Sequence, residues 1–341
     1  MKRSRILVLM HESLVPPESL EGYSEEQILE WKVEFDVTAT LREMGHDVRP
    51  LGVSDDLGLI RRGIEEFKPH CTFNLLEEFH GVGVYDTNVV AYLELMRQPY
   101  TGCNPRGLLL AHDKVLSKKI LTYHRIPTPR FLVFPLGRKV QLPKRTPYPL
   151  LVKSASEEAS LGIARDSIVR TDEQLVKRVA YIHERVKTDA LVEEYIEGRE
   201  LYVGIVGNQR LATFPIWEML FTKADEDTPL IATARVKWDS RHQKKLGLVT
   251  QAAKSLPSGA KESIPKLCKR VYRALNLTGY ARIDLRMRED GRVYVLEANP
   301  NPNLAYGEDF AESAEKFGFK YEALLQRIIS LGIRYKAAWR T

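Results

Sequence analysis

Residues 280–303 read YARIDLRMREDGRVYVLEANPNPN. Asp290-Gly291 lies between two strand-like runs, and glycine accepts the positive φ of a tight turn, so the stretch predicts a β-hairpin. Side chains alternate along a strand, which puts Arg282, Asp284 and Arg286 on one face of the outgoing arm. The same rule puts Val293, Val295, Glu297 and Asn299 on one face of the return arm. If those faces coincide, two carboxylates and an amide oxygen converge beside an arginine. Hard oxygen donors of that kind suit Mg²⁺, which completes its shell with water and phosphate oxygens. A solvated hairpin face shows the same alternation, so the pattern alone leaves both readings open.

Outward from the hairpin, the C-terminal part reads as mixed or antiparallel sheet. Strands are expected at 190–196, 201–207, 210–217, 279–288 and 292–298, with helices near 172–187, 261–275 and 321–331. Toward the N-terminus strands and helices alternate: strand 5–10, helix 25–44, strand 46–51, helix 57–67, strand 70–75 and helix 85–97. That order predicts a parallel sheet covered on both faces. One helix is expected over 107–124, broken by Ile126-Pro127-Thr128-Pro129, followed by strands at 130–134 and 149–153. The chain divides into three consecutive lobes, at 1–103, 104–190 and 191–341. The fold class is α/β, passing to α+β in the C-terminal half.

The 341 residues leave room for two or three cores at about 150 residues each. With 28% charged and 44% hydrophobic residues the chain is an ordinary globular protein, and wholesale disorder is excluded. A net charge of +6 tolerates phosphate-bearing ligands without arguing for nucleic acid. The three cysteines, Cys71, Cys103 and Cys268, show no paired spacing and point to a reducing, cytoplasmic setting. No run approaches the roughly 20 apolar residues of a membrane span. Strand 5–10 is followed by His11-Glu12-Ser13 where a dinucleotide fold needs Gly-x-Gly-x-x-Gly, which argues against a nicotinamide enzyme.

Several side chains remain ambiguous on their own. Lys114 follows Asp113 in a helix, and Lys153 ends the apolar run Pro149–Val152; either could meet phosphate or water. The loop 154–162 has one glycine and is a poor phosphate cradle. The basic run 235–245, with Lys237 and Trp238, could be a solvated loop, a nucleic-acid patch or a lid over phosphates. Glu193, Glu194, Ile196 and Glu200 flank a turn at Gly198; these acids could recognise adenine and ribose, or protect a sheet edge. His11, His80 and His112 are isolated.

In order along the chain, Pro99-Tyr100-Thr101-Gly102, Asp113-Lys114 with Ser117-Lys118, Ile126–Pro129, Leu151-Val152-Lys153, Glu193 and Glu200 about Gly198, Arg282-Ile283-Asp284 and Glu297-Ala298-Asn299 form a collinear set. The chain thereby resembles the ATP-grasp superfamily, and within it the D-alanine–D-alanine ligase family. The resemblance implies an ATP-grasp architecture with ATP held between the central and C-terminal lobes. It implies that Lys114 and Lys153 contact ATP phosphates. Glu193 would accept from the adenine amino group, Glu194–Ile196 would line that pocket, and Glu200 would hold the ribose. Asp284, Glu297 and Asn299 would bind two Mg²⁺ ions, or Mn²⁺ in their place. Arg282 would stabilise an oxyanion, and Lys237 would be the lid lysine.

The implied activity is an ADP-forming carboxylate–amine ligation through an acyl phosphate, with amino acids or a peptide as substrates. No nucleic-acid or membrane partner is expected, and a homodimer is expected from the resemblance alone. On the substrate side the chain departs from the family. Ala159, next to Ser160, stands where a substrate serine is usual, and Trp238 follows the lid lysine in place of tyrosine. Pro302-Asn303 replaces Pro-Gly, Glu308 falls near the serine that binds the second substrate's carboxylate, and Glu12 falls near the N-terminal substrate glutamate. The motif around His80 is kept, but Val84-Tyr85 departs. A carboxylate at 308 would repel a free amino-acid carboxylate. The alternatives are a genuine D-alanine–D-alanine ligase and a non-catalytic ATP-binding module.

Overall fold

The computed structural model describes residues 3–138, 140–141, 147–156, 164–223 and 239–340. The apolar strand β1 (Arg5–His11) is followed by α1 (Glu25–Glu30), α2 (Lys32–Glu43), β2 (Asp47–Val53), α3 (Leu57–Phe67), β3 (Cys71–Asn74) and α4 (Asp86–Leu95). The strands form a parallel sheet in the order β2-β1-β3, as the βα alternation predicts. The single helix expected over 25–44 is two, broken at Trp31, where φ is −124°. The break lets the Trp31 ring bury itself against Tyr23 and Phe35, at centroid distances of 5.5 and 5.9 Å.

The helix expected over 107–124 is also two, α5 (Pro105–His112) and α6 (Lys114–Tyr123). Asp113 divides them: its carboxylate accepts from the Leu116 amide at 2.8 Å and caps α6. Next come β4 (Phe131–Phe134), β5 (Leu150–Ser154), β6 (Ile168–Val169), α7 (Asp172–Tyr181) and β7 (Ala190–Glu194). Their strands form a sheet in the order β4-β7-β5-β6 with its own buried cluster, including Val152, Leu175, Val179 and Val192. The division expected at 190 falls at the start of β7, whose pairing with β4 and β5 keeps Ala190–Glu194 in this central sheet.

The third sheet uses β8 (Arg199–Val206), β9 (Ala212–Thr213), β10 (Trp217–Phe221), β11 (Leu248–Ala252), β12 (Tyr280–Met287) and β13 (Val293–Asn299). Its order is β11-β10-β8-β12-β13 with β9 beside β8, and its pairings are antiparallel. The expected strand 210–217 is cut to the two residues of β9, and β10 begins only at Trp217. Helices α8 (Ser240–Leu246), α9 (Ala260–Ala274), α10 (Asp309–Phe317) and α11 (Tyr321–Arg334) complete the chain.

Two buried clusters weld the first and third sheets. Leu7 and Leu9 of β1 join Leu108 and Leu121 of α5 and α6, and with them Ile283 and Leu285 of β12. The other face of β1, Ile6, Val8 and Met10, packs with Leu324 and Ile328 of α11. Helices α5 and α6, expected in the central lobe, thus pack in the core between the outer two sheets. Among the described residues no helix is long and apolar enough to cross a membrane.

Candidate active site

The β12–β13 hairpin sets Asp284 opposite Glu297 and Arg282 opposite Asn299. The convergence expected from the sequence is therefore present, but the strand alternation that predicted it is not regular. Leu285 pairs with Val295, so Leu296 is an extra residue in β13 at the step after Asp284. This β-bulge flips the face: Val293 and Val295 pair with Met287 and Leu285 and turn to the core, while Glu297 and Asn299 turn to the polar side. The expectation that all four share a face fails at that bulge.

On the polar face, Arg282 grips Asp284 through two hydrogen bonds, Nε–Oδ1 at 2.7 Å and Nη2–Oδ2 at 2.9 Å. Its guanidinium also lies 4.6 Å from the Tyr202 ring centroid. Burial opposes the Arg282 charge, but the Asp284 carboxylate and its hydrogen bonds outweigh it and hold the pKa above the ordinary value. Further along the face, the Glu200 carboxylate accepts from Tyr202 Oη at 2.8 Å and from Arg286 Nη2 at 2.7 Å. Arg286 also donates to the Gly198 carbonyl at 3.3 Å, tying the turn between β7 and β8 to the sheet. Gly198 has φ +138°, and a Cβ there would lie 2.1 Å from the Met287 carbonyl oxygen, so only glycine fits this turn.

The central sheet and α6 supply a second charged group. Glu193 of β7, 1% exposed, sits between the ammonium groups of Lys118 and Lys153, the latter at 3.0 Å. Lys118 donates to Thr128 Oγ1 at 2.8 Å, and Thr128 donates on to the Val295 carbonyl at 3.0 Å, which fastens this group to β13. Burial first, and then the nearby Lys153 charge, hold the Lys118 pKa well below the lysine value, while Glu297 pulls it back. Lys118, named in the sequence only as part of a motif, is thus a site residue with no role assigned there. Its signal was position: Lys114, Ser117, Lys118 and Leu121 have one-face helical spacing, and the last three are buried. Alternation puts Arg286 on the face of Arg282 and Asp284, but nothing local in the sequence marks it, or Tyr202, as a partner of Glu200.

Glu194 is engaged by Arg288 at 2.9 Å, and Ile196 is buried at the turn. Lys114 is one turn before Lys118, and its amide donates to the Ala155 carbonyl at 3.3 Å, joining the start of α6 to the end of β5. The segment after β13 is held from outside. Lys32 Nζ donates to the Tyr306 carbonyl at 2.7 Å, and Asp36 accepts from the Tyr306 amide at 2.9 Å. Asn301 donates to Asp86 Oδ2 at 3.3 Å, an atom that also meets His112 Nε2 at 2.9 Å.

Within this segment Asn303 accepts from the Ala305 amide, and exposed Glu308 precedes α10 without capping it. Its carboxyl pKa is raised, by the packing around it and then by Asp309, with Lys32 and Arg282 pulling it down. Glu12 is exposed on the single turn that follows β1, its backbone packed against Gly52. His80 is exposed, with Asp55 4.0 Å away, and makes no hydrogen bond or ion pair to the sheet face among the described residues. Ser160, Lys237 and Trp238 lie outside the described residues.

Among the described residues no three His, Cys, Asp or Glu side chains form a group able to hold a metal ion by themselves. Two facing carboxylates with a neighbouring amide oxygen are a different donor set, and they fit Mg²⁺, which takes its remaining oxygens from water and phosphate.

A sheet bearing this polar hairpin, set against a smaller antiparallel sheet with buried lysines, is the ATP-grasp architecture. Solved structures share it: a D-alanine–D-alanine ligase from Bacillus anthracis complexed with ATP aligns with TM-score 0.74 at 23% identity, covering 97% of this chain and 98% of that one. The VanG D-Ala:D-Ser ligase from Enterococcus faecalis aligns with TM-score 0.68 at 18% identity, over 97% and 100%. Residues 122–330 match the family described as D-ala D-ala ligase C-terminus. A D-alanine–D-alanine ligase from Syntrophotalea carbinolica is 30% identical, over 91% of this chain and 93% of its own. The uncharacterized protein y4sG from Sinorhizobium fredii is 32% identical, over 87% and 86%. The chain belongs to the D-alanine–D-alanine ligase family. It is an ATP-grasp ligase of the ADP-forming, C–N bond-forming type.

Proposed function

We propose that the protein joins the carboxylate of one small substrate to the amine of another, at the expense of ATP and through an acyl phosphate. The observation that carries this reading is Asp284 opposite Glu297, with Arg282 and Asn299 as the next pair of the hairpin. Asp284, Glu297 and Asn299 would hold Mg²⁺, which supplies charge neutralisation at the phosphates. Lys114 at the start of α6 and Lys153 on β5 would meet the same negative charge, and Lys118 with Glu193 keeps Lys153 in place. Glu200 and the backbone at Ile196 would hold the nucleoside. The substrate carboxylate oxygen attacks the γ-phosphorus and ADP departs. The amine nitrogen then attacks the acyl carbon, Arg282 meets the oxyanion, and phosphate departs as nitrogen loses its proton. Lys237 would close over the phosphates and keep water from the acyl phosphate.

The substrate pair is amino acids or a peptide. Glu308 falls near the position of the serine that binds the second substrate's carboxylate in the family, and a carboxylate there would repel a free amino-acid carboxylate. The reading is thus a ligase whose second substrate does not present a free α-carboxylate at this point. The named relatives favour the other reading, true D-alanine–D-alanine ligation. Substrate profiles of the wild type and of Glu308→Ser decide between them. A profile in which D-alanine is used only by Glu308→Ser supports the first; D-alanyl-D-alanine formed equally by both supports the second.

A further inference from the structure

Beyond the far end of β8 from Glu200, a groove of about 430 Å³ lies between the turn that joins β8 to β9 and the last turns of α11. Glu200 lies six residues, roughly 20 Å of strand, from Val206 at this end of β8, and Arg282 and Asp284 pair with Gly204 and Tyr202 in between. It is lined by Arg210 on the turn, Arg327 and Arg334 on α11, and Lys336 just beyond. Among the described residues none of these four side chains has an ion-pair or hydrogen-bond partner. Gathering four unneutralised cations about one groove is unfavourable unless an anion is taken up. The framework is rigid: Asn208 donates from Nδ2 to the Leu331 carbonyl at 3.1 Å and accepts the Gly279 amide at 2.9 Å. The turn thus stays docked on α11 whether or not the groove is filled.

We propose that this groove binds a small ligand carrying two or more phosphate-like anionic groups, at a site separate from the ATP site. The spacing sets the class. Arg327 and Arg334 are seven residues apart on one helix face, roughly 10 Å along its axis, with Ser330 and Leu331 between them. A single phosphate is too short to engage both ends, whereas a chain of phosphates, or a bisphosphorylated molecule, reaches from one to the other. The guanidinium groups suit bidentate phosphate recognition, and Tyr335 and Leu331 give an apolar wall beside them.

Tripolyphosphate is the probe, titrated calorimetrically into the full chain. The wild type is expected to show a groove class of binding in addition to any uptake at the ATP site. Arg327→Gln/Arg334→Gln should weaken the groove class by roughly a hundredfold, about tenfold for each lost charge-assisted contact. Arg210→Gln, on a different element, should weaken the same class by roughly tenfold. Orthophosphate should bind the groove at least tenfold more weakly than tripolyphosphate. Titrations of the two variants that superimpose on the wild type would overturn the proposal. So would orthophosphate binding as tightly as tripolyphosphate, or a penta-glutamate peptide binding more tightly than either.

Discussion

Replacing Glu193 by glutamine removes the carboxylate that separates two buried ammonium groups. Glu193, Lys118 and Lys153 are 1%, 2% and 6% exposed, so solvent screens none of them effectively. Breaking a buried pair by taking away one partner costs about 3–5 kcal/mol, because the other charge stays buried and uncompensated. Here Glu193→Gln strands two lysines, of which Lys118 is already pushed toward its neutral form by burial and Lys153, so the lower half of that range is expected. Lys118→Met is milder, since methionine refills much of the apolar stem's space and Glu193 keeps Lys153 at 3.0 Å. About 1.5–3 kcal/mol is expected, the scale of a lost charge-assisted hydrogen bond. In the double variant one of the two stranded cations is gone, so the costs should fall short of additive by about 2 kcal/mol. Urea denaturation followed by tryptophan fluorescence, on the wild type and three variants, measures the coupling. Additivity within about 0.5 kcal/mol, or Lys118→Met proving costlier than Glu193→Gln, would refute the shared-carboxylate reading.

Three further outcomes are expected. Burial raises the pKa of Glu34, 6% exposed on α2, to about 7, so its folded form prefers the proton. No penalty exists below pH 4.5; as the pH climbs from 4.5 through 7 the unfolded chain ionises first, and stability falls by about 3 kcal/mol. Glu34→Gln should remove that slope, and equal slopes for variant and wild type between pH 5 and 8 would dismiss it. Lys32→Met and Asp36→Ala release the backbone of Tyr306 and should raise KM for the amine substrate about tenfold while KM for ATP stays constant; changes in both, or in ATP alone, would dissociate this clamp from substrate binding. Gly198→Ala must relieve a 2.1 Å approach to the Met287 carbonyl and should cost about 2 kcal/mol or more, read as a lowered melting temperature; an unchanged one would show that the turn can move aside.

Much of this architecture is legible in the residues themselves. The Ile6–Met10 run, the βα alternation around it and the Asp290-Gly291 turn announce the parallel sheet and the hairpin that the structure contains. What misleads is local. Trp31 and Asp113 are good helix-interior spacings that tertiary packing and capping convert into breaks. The bulge at Leu296 is hidden by strict alternation, although the sequence carries its trace. Apolar positions run Val293, Val295 and then Ala298, and the change of parity is the change of face. The lysines show the limit of reading a charge by its neighbours. Lys153 at a strand end and Lys118 inside a helix both look solvated, because the carboxylate that makes their burial tolerable is Glu193, distant in sequence. Likewise the clamp from Lys32 and Asp36 onto Tyr306 joins residues some 270 positions apart, which no local pattern reveals.

The most direct measurement is ADP release from Mg-ATP with a panel of amino acids, small carboxylates and short peptides, singly and in pairs, with products weighed by mass spectrometry. Wild-type protein should release ADP with one carboxylate–amine pair and yield a product whose mass is the sum of the two less water. Asp284→Asn and Glu297→Gln should lower that rate by about a hundredfold or more while remaining folded. Turnover unchanged in both variants, or ADP release with no condensed product from any pair, would contradict a ligase built on this hairpin.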